Sequence, residues 1–174
     1  MENKDFSGLY IRGHIKIHDP ESGEVLIDKA NAIHYENMSI ALADSIANSG
    51  EGFIYSMAFG NGGTAIDPTG IITYLTPNST GQNAGLYNQT YSKVVNGTSV
   101  NNLDPTRNFI ETRHTTGKNY TNFVFDELGL KGKGPDNTEG KLLTHVIFHP
   151  VQKSLNRLIQ IDYTVRIQSL TGVA

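Results

Sequence analysis

Cysteine is absent from the 174 residues. That excludes disulfides, thiolate metal sites and cysteine nucleophiles. It leaves the compartment open, because an oxidising environment permits disulfides without requiring them. Charge is also scarce: 18% of residues are Asp, Glu, Lys or Arg, and the net charge is −3. A balance this close to neutral and slightly acidic argues against a nucleic-acid binder working through a basic patch. Long apolar runs are missing too. No stretch approaches the ~20 apolar residues of a membrane-spanning helix, and the opening MENKDFSGLY has no apolar core of the secretory kind. The expectation is a soluble chain made in the cytosol, with no membrane anchor of its own. Hydrophobic residues are 37% of the chain. Asn, Thr, Ser and Gly fill the balance, and these suit turns and β-rich surfaces.

What is present is alternation. In the C-terminal stretch, residues 141–170, Ile159, Ile161, Tyr163, Val165 and Ile167 fall on one side and Gln160, Asp162, Thr164, Arg166 and Gln168 on the other. The stretch reads as two long strands turned at Pro150, a terminal hairpin. A strand over residues 157–168 exceeds the usual ~5–6 residues, so it serves as the spine of a sheet or projects to pair with a neighbour. Residues 9–17 alternate as well, with Leu9, Ile11, Ile15 and Ile17 against Tyr10, Arg12, His14 and Lys16. A Pro/Gly turn at 19–23 and a return strand at 24–28 complete a hairpin.

One helix is expected, over about residues 36–48. Met38, Ala41, Leu42, Ser45 and Ile46 keep helical spacing, Asn37 is a candidate N-cap and Gly50 a stop. Residues 53–59 form another alternating strand, halted by Gly60-Asn61-Gly62-Gly63. Residues 64–108 read as a long polar excursion with one or two short strands. Strands at 109–115 and 120–125 follow, then a bend at 126–130 and a polar loop at 131–140. The reading is a mainly β chain: residues 1–8 a polar arm, residues 9–174 a single antiparallel β-sandwich domain with one amphipathic α-helix and a long loop excursion.

Motifs for chemistry are weighed and set aside. The Gly60–Gly63 run has no Gly-Lys-Ser/Thr ending and no helix after it, so a tight turn with positive φ replaces the phosphate-loop reading. His14 and His18, like His145 and His149, are four apart, which on a strand separates them by roughly 13 Å; His34 and His114 have no partner by spacing. Asp126 and Glu127 are adjacent and so point to opposite faces. Asp126 is read as a turn-former and Glu127 as a partner for Arg113, Lys131 or Lys153. There is no GxSxG elbow. Sequons at Asn37, Asn78, Asn88, Asn96 and Asn119 carry weight only on a secretory route. No catalytic, cofactor-binding or metal-binding residue is assigned, and no enzyme activity is expected. Tyr74, Tyr87 and Tyr91 are candidates for contact with a protein or a sugar.

The order of the pieces carries a resemblance. Phe59-Gly60-Asn61-Gly62-Gly63-Thr64 matches a turn of the form fG.G.t. Phe125-Asp126-Glu127-Leu128-Gly129-Leu130 matches a bend of the form f.E.GL, and residues 146–167, with Lys153 and Tyr163, match a closing vvf.pi.K....l.i.Yt..i segment. In that order these resemble the virion structural proteins of tailed bacteriophages: tail, baseplate, collar, neck or fibre-adaptor components. The resemblance implies a building block without catalysis, made in the host cytoplasm and located in the virion. It implies assembly as an oligomer with copies of itself and other virion proteins, through loops and strand edges. Neither nucleic acid nor membrane is an expected partner, and no cofactor is. The residues assigned to assembly are Leu9, Tyr10, Tyr74, Tyr87, Tyr91, Arg157 and Arg166, together with residues 1–10, the excursion at 78–102 and the outer edge of residues 157–168. The alternative is a capsid-decorating or glycan-binding module with the three excursion tyrosines as its platform; a small virion hydrolase is a third reading, for which spacing offers no converging polar groups.

Overall fold

The computed structural model describes residues 8–95, 97–104, 107–116 and 122–169, the second and third stretches by backbone. The elements are β1 (Leu9–His18), β2 (Val25–Ile33), α1 (Tyr35–Ile46), β3 (Ile54–Gly60), β4 (Thr64–Ile66) and β5 (Ile72–Tyr74). They continue with β6 (Gln89–Val94), β7 (Gly97–Asp104), β8 (Arg107–Thr116) and β9 (Phe123–Lys133). A 3₁₀ turn (Pro135–Asn137), β10 (Glu139–Leu142), β11 (Thr144–Lys153) and β12 (Ile159–Ser169) close the chain.

The strands run β6-β3-β9-β11-β2-β1-β12-β8-β7, with β10 added on β9 and β4-β5 forming a separate small hairpin. All pairings are antiparallel. Among the described residues, the strand pairing that joins the two halves is that of Thr144 and His145 of β11 with Ile33 and Ala32 of β2. There the path bends back on itself, and the halves share one core. Ile15, Ile17, Ile161, Tyr163 and Val165 come from one layer, and Met57, Phe59, Phe125, Leu128 and Phe148 from the other. Met38 and Ala41 of α1 pack against the same cluster. This is the antiparallel sandwich with one helix that the alternation predicts. Inside it, the Thr144 hydroxyl donates to the Tyr163 hydroxyl at 2.7 Å, a buried link between layers. Among the described residues no helix is long and apolar enough to cross a membrane.

Several expectations are corrected. β11 and β12 are not a hairpin: β11 pairs with β9 and β2, and β12 with β1 and β8. The connection at residues 154–158 crosses from layer to layer instead. Pro150 does not turn the chain. It lies within β11, between Ile147 and Val151, where the register with β9 shifts; a residue without an N–H is tolerated at a bulge. β12 is no edge. Its register to β1 runs unbroken from Leu9↔Ser169 to His18↔Gln160, and β8 covers its other side. Of the two expected roles it takes the spine, and the ends of the strand path are β6 and β7.

The helix cap is His34, whose Nδ1 accepts the Asn37 N–H at 3.3 Å. Asn37 is instead buried and donates from its side chain to the Leu142 carbonyl. At the other end Asn48 (φ 51) takes the left-handed position ahead of Gly50. Ser45 and Ile46 are exposed, so the packed face stops at Leu42. β9 continues straight through the expected bend, as far as Lys133. The excursion is more ordered than read: it holds β4, β5, β6 and β7. Residues 1–7, including most of the polar arm, lie outside the described residues, as do residues 117–121.

Candidate functional site

Residues 125–130 of β9 are buried without a break. A strand so read is covered on both faces. One face meets the core; the other is closed by the glycine turn after β3 and by residues 75–88, which have no regular structure. The covering is held by charge. Glu127, with 0% of its surface exposed, accepts the Gly62 N–H at 3.1 Å and the Asn88 N–H at 2.8 Å on Oε1. Its Oε2 accepts the Tyr87 N–H at 2.9 Å and His145 Nε2–H at 2.8 Å. Asp126 accepts the Gly63 N–H on Oδ1 and both the N–H and the hydroxyl of Thr64 on Oδ2. The expectation that the adjacent carboxylates point to opposite faces is corrected: both accept from the same turn, and Phe125 packs on Phe59, the cross-strand partner of Leu128, so the simple alternation fails between them. The turn reaches both because its successive amides fan across them.

The glycines are needed for approach. A Cβ on Gly60 would lie 2.5 Å from Glu127 Oε1, and one on Gly62 would lie 2.8 Å from the Asn88 nitrogen. The positive-φ explanation is therefore corrected: the left-handed glycines are Gly23, Gly50, Gly52, Gly70 and Gly81. Burial pushes the Glu127 carboxyl up. The His145 N–H and the backbone N–H groups of Asn88, Tyr87 and Gly62 outweigh it and hold the carboxyl below its ordinary range.

His145 is fully buried, with the Tyr87 ring centroid 5.7 Å from its own. Its Nδ1 accepts the Asn78 N–H at 2.8 Å. With Nδ1 as acceptor, Nε2 carries the hydrogen that Glu127 receives. The basic partners expected for Glu127 lie elsewhere. Lys131 pairs with Glu139 at 3.5 Å and Lys153 donates to the Ser154 carbonyl at 2.6 Å; the Arg113 side chain is outside the described residues. The lone pairs of Glu127 are occupied by the chain's own donors, so the arrangement works as a staple. Sequence reading missed Asn78, Tyr87, Asn88 and His145 in this role. The neighbouring FGNGGT and DE segments were its one visible trace.

The residues assigned to assembly scatter. Leu9 and Tyr10 are exposed on β1 and edge a cleft of about 880 Å³ shared with Tyr35 and Pro77. The Arg12 guanidinium lies over the Tyr10 ring at 4.7 Å. Tyr74 is exposed, its hydroxyl 3.5 Å from His149 Nδ1. Tyr87 is exposed and donates to the Thr76 carbonyl. Tyr91 is half-buried against Phe59 and Phe123. Each tyrosine thus has a different neighbourhood. Arg157 is spent internally, on Glu24 at 2.8 Å and Asp19 at 3.7 Å, bracing the β1–β2 turn. Arg166 is half-buried on β12, in register with Arg12.

The histidines also separate. His14 meets Asp28 at 2.7 Å and His18 meets Asp162 at 3.8 Å, while His34 donates from Nε2 to the Gly81 carbonyl. Among the described residues no group of three or more His, Asp or Glu is placed to hold a metal ion. Comparison with protein-family models, with curated proteins and with solved structures found no match to this chain.

Proposed function

We propose that the chain is a structural subunit of a tailed-phage virion, in the tail, neck or fibre-attachment region, that assembles with copies of itself and with other virion proteins. One observation carries this reading. The three segments behind the resemblance, far apart in sequence, meet at one place. Gly62, Gly63 and Thr64 bind Asp126 and Glu127, and β11 lies beside them through the Val146↔Leu128 pair. A set of motifs that recurs together has a physical reason to do so when each completes the others' hydrogen bonds.

The surface supports the same reading. The β4–β5 hairpin and its flank present Ile66, Ile71, Tyr74 and Leu75, exposed at 69%, 61%, 53% and 45%. A two-stranded hairpin is marginal on its own in water, and one with apolar residues facing out is stabilised by a neighbour. The ends of the strand path, β6 and β7, supply backbone for strand addition. The test is mass in solution by light scattering, followed by imaging of assembled particles. A ring or other closed oligomer, weakened by Ile66→Glu with Ile71→Glu, supports the proposal. A monomer at every concentration, with no corresponding density in the particle, overturns it.

A further inference from the structure

Residues 76–88 form a strap across β9 and β11, and titratable side chains supply much of its anchoring. Glu127 holds Tyr87 and Asn88, and His145 holds Asn78. From the helix side, His34 Nε2 donates to the Gly81 carbonyl and Glu36 accepts the Gly81 N–H. Lys141 donates to Asn83. The strap's own contacts are few: the Asn78 side chain to the Gly85 carbonyl, the Tyr87 hydroxyl to Thr76, and the Ala84 N–H to Gly81.

His145 stands at the junction of two opposed demands. On one side is the Glu127 carboxylate, which a second ring proton would turn into an ion pair. On the other is the Asn78 N–H, which needs Nδ1 bare. Protonating Nδ1 replaces an acceptor by a donor and sets two N–H groups face to face at hydrogen-bond distance. The ring stays on Glu127, and Asn78 must leave. Among the described residues, the neighbouring titratable side chains are engaged elsewhere. Asp126 on β9 is committed to Gly63 and Thr64, Tyr87 presents its ring, and His149 further along β11 faces Tyr74.

We propose that the Asn78 limb of this strap is an acid-released latch, with His145 as the group that takes the proton. Mild acid frees Asn78 while Glu127 keeps Tyr87 and Asn88, so the strap opens from one end without unfolding the sandwich. The inference is independent of the assembly reading and survives its failure.

The experiment is NMR on the full chain, carried from about pH 7.5 to about pH 5. Hydrogen-exchange protection of the Asn78 amide, corrected for the intrinsic rate, should fall at least about tenfold relative to Leu130 and Tyr163. The His145 Nδ1 resonance should move to its protonated position over the same range. His145→Gln keeps a donor and an acceptor but takes no proton, and should abolish the pH dependence. Unchanged Asn78 protection overturns the proposal. So does loss of protection while Nδ1 stays bare, or a folded His145→Gln variant that keeps the pH response. Should that variant not fold, the wild-type nitrogen titration decides alone.

Discussion

The two layers of the sandwich are built on different rules. At the centre of the layer of β1, β12 and β8, register runs without interruption, Leu9 to His18 against Ser169 to Gln160 and Ile159 to Gln168 against Thr116 to Arg107; it shifts at the flanks, at Ile17/His18 against β2 and at Asn101/Asp104 against β7. Burial along β12 alternates as its sequence does. In the layer of β6, β3, β9 and β11, every pairing breaks register, at Phe59/Gly60, at Ile54/Ser56 and at Ile147/Val151. β9 is buried on both faces and carries two carboxylates inside. The regular layer is held by apolar burial on one face, with water on the other. The bulged layer is held by apolar burial on one face and by a polar staple on the other. Bulges re-aim side chains, and here they accompany a loop that docks by hydrogen bonds.

The comparison is broken most directly at Glu127. Glu127→Ala leaves three backbone N–H groups and His145 without their acceptor. It should cost about 3–5 kcal/mol, the scale for removing one partner from a buried charged network. Urea unfolding measures it. A cost near that of a surface substitution would mean that the loop, and not the staple, holds the bulged layer. In the regular layer, Ile161→Ala should cost about 2–5 kcal/mol through lost burial and the cavity left behind, with no local loosening of residues 76–88 in hydrogen exchange. Loosening of the strap there would show the two layers to be one cooperative unit.

Acid sharpens the contrast. The His145 and backbone N–H donors hold the Glu127 carboxyl below the ordinary carboxylate range in the folded chain. Its stabilisation is therefore complete above the unfolded value and is lost as pH falls through the lower, folded one. Thermal unfolding followed below about pH 4.5 should lose stability more steeply in the wild type than in Glu127→Gln. Equal slopes would remove Glu127 as the source. The smallest effect belongs to the wet face of the regular layer. His14 and Asp28 are each about half exposed, so His14→Ala should change stability by less than about 1 kcal/mol. A larger loss would mean that this face is not simply solvated.

Much of the regular layer could be read directly. Residues 9–17 and 159–167 alternate because one face of each strand is dry and the other wet, and burial follows the alternation at Ile15 and Ile17 and from Ile159 to Val165, while Leu9 at the outer end is exposed. The bulged layer was misread for a related reason. Asp126-Glu127 looks like a strand end because carboxylates are rare inside proteins. Only the amides of Gly62, Tyr87 and Asn88, brought from far along the chain, make burial there tolerable. The terminal segment was misread differently. Two consecutive long strands suggest a hairpin, yet nothing local says whether they pair or separate into opposite layers.

The amino-acid sequence alone determined the strand-rich class, the single helix and the inward face of β12. Each follows from the spacing of apolar side chains over a few neighbouring residues. Tertiary structure alone decided that β12 lies between β1 and β8, that Pro150 falls inside a strand, and that Glu127 joins His145 beneath a loop. These depend on which distant segments meet. A buried acid is stabilised only by donors whose arrival no local pattern records.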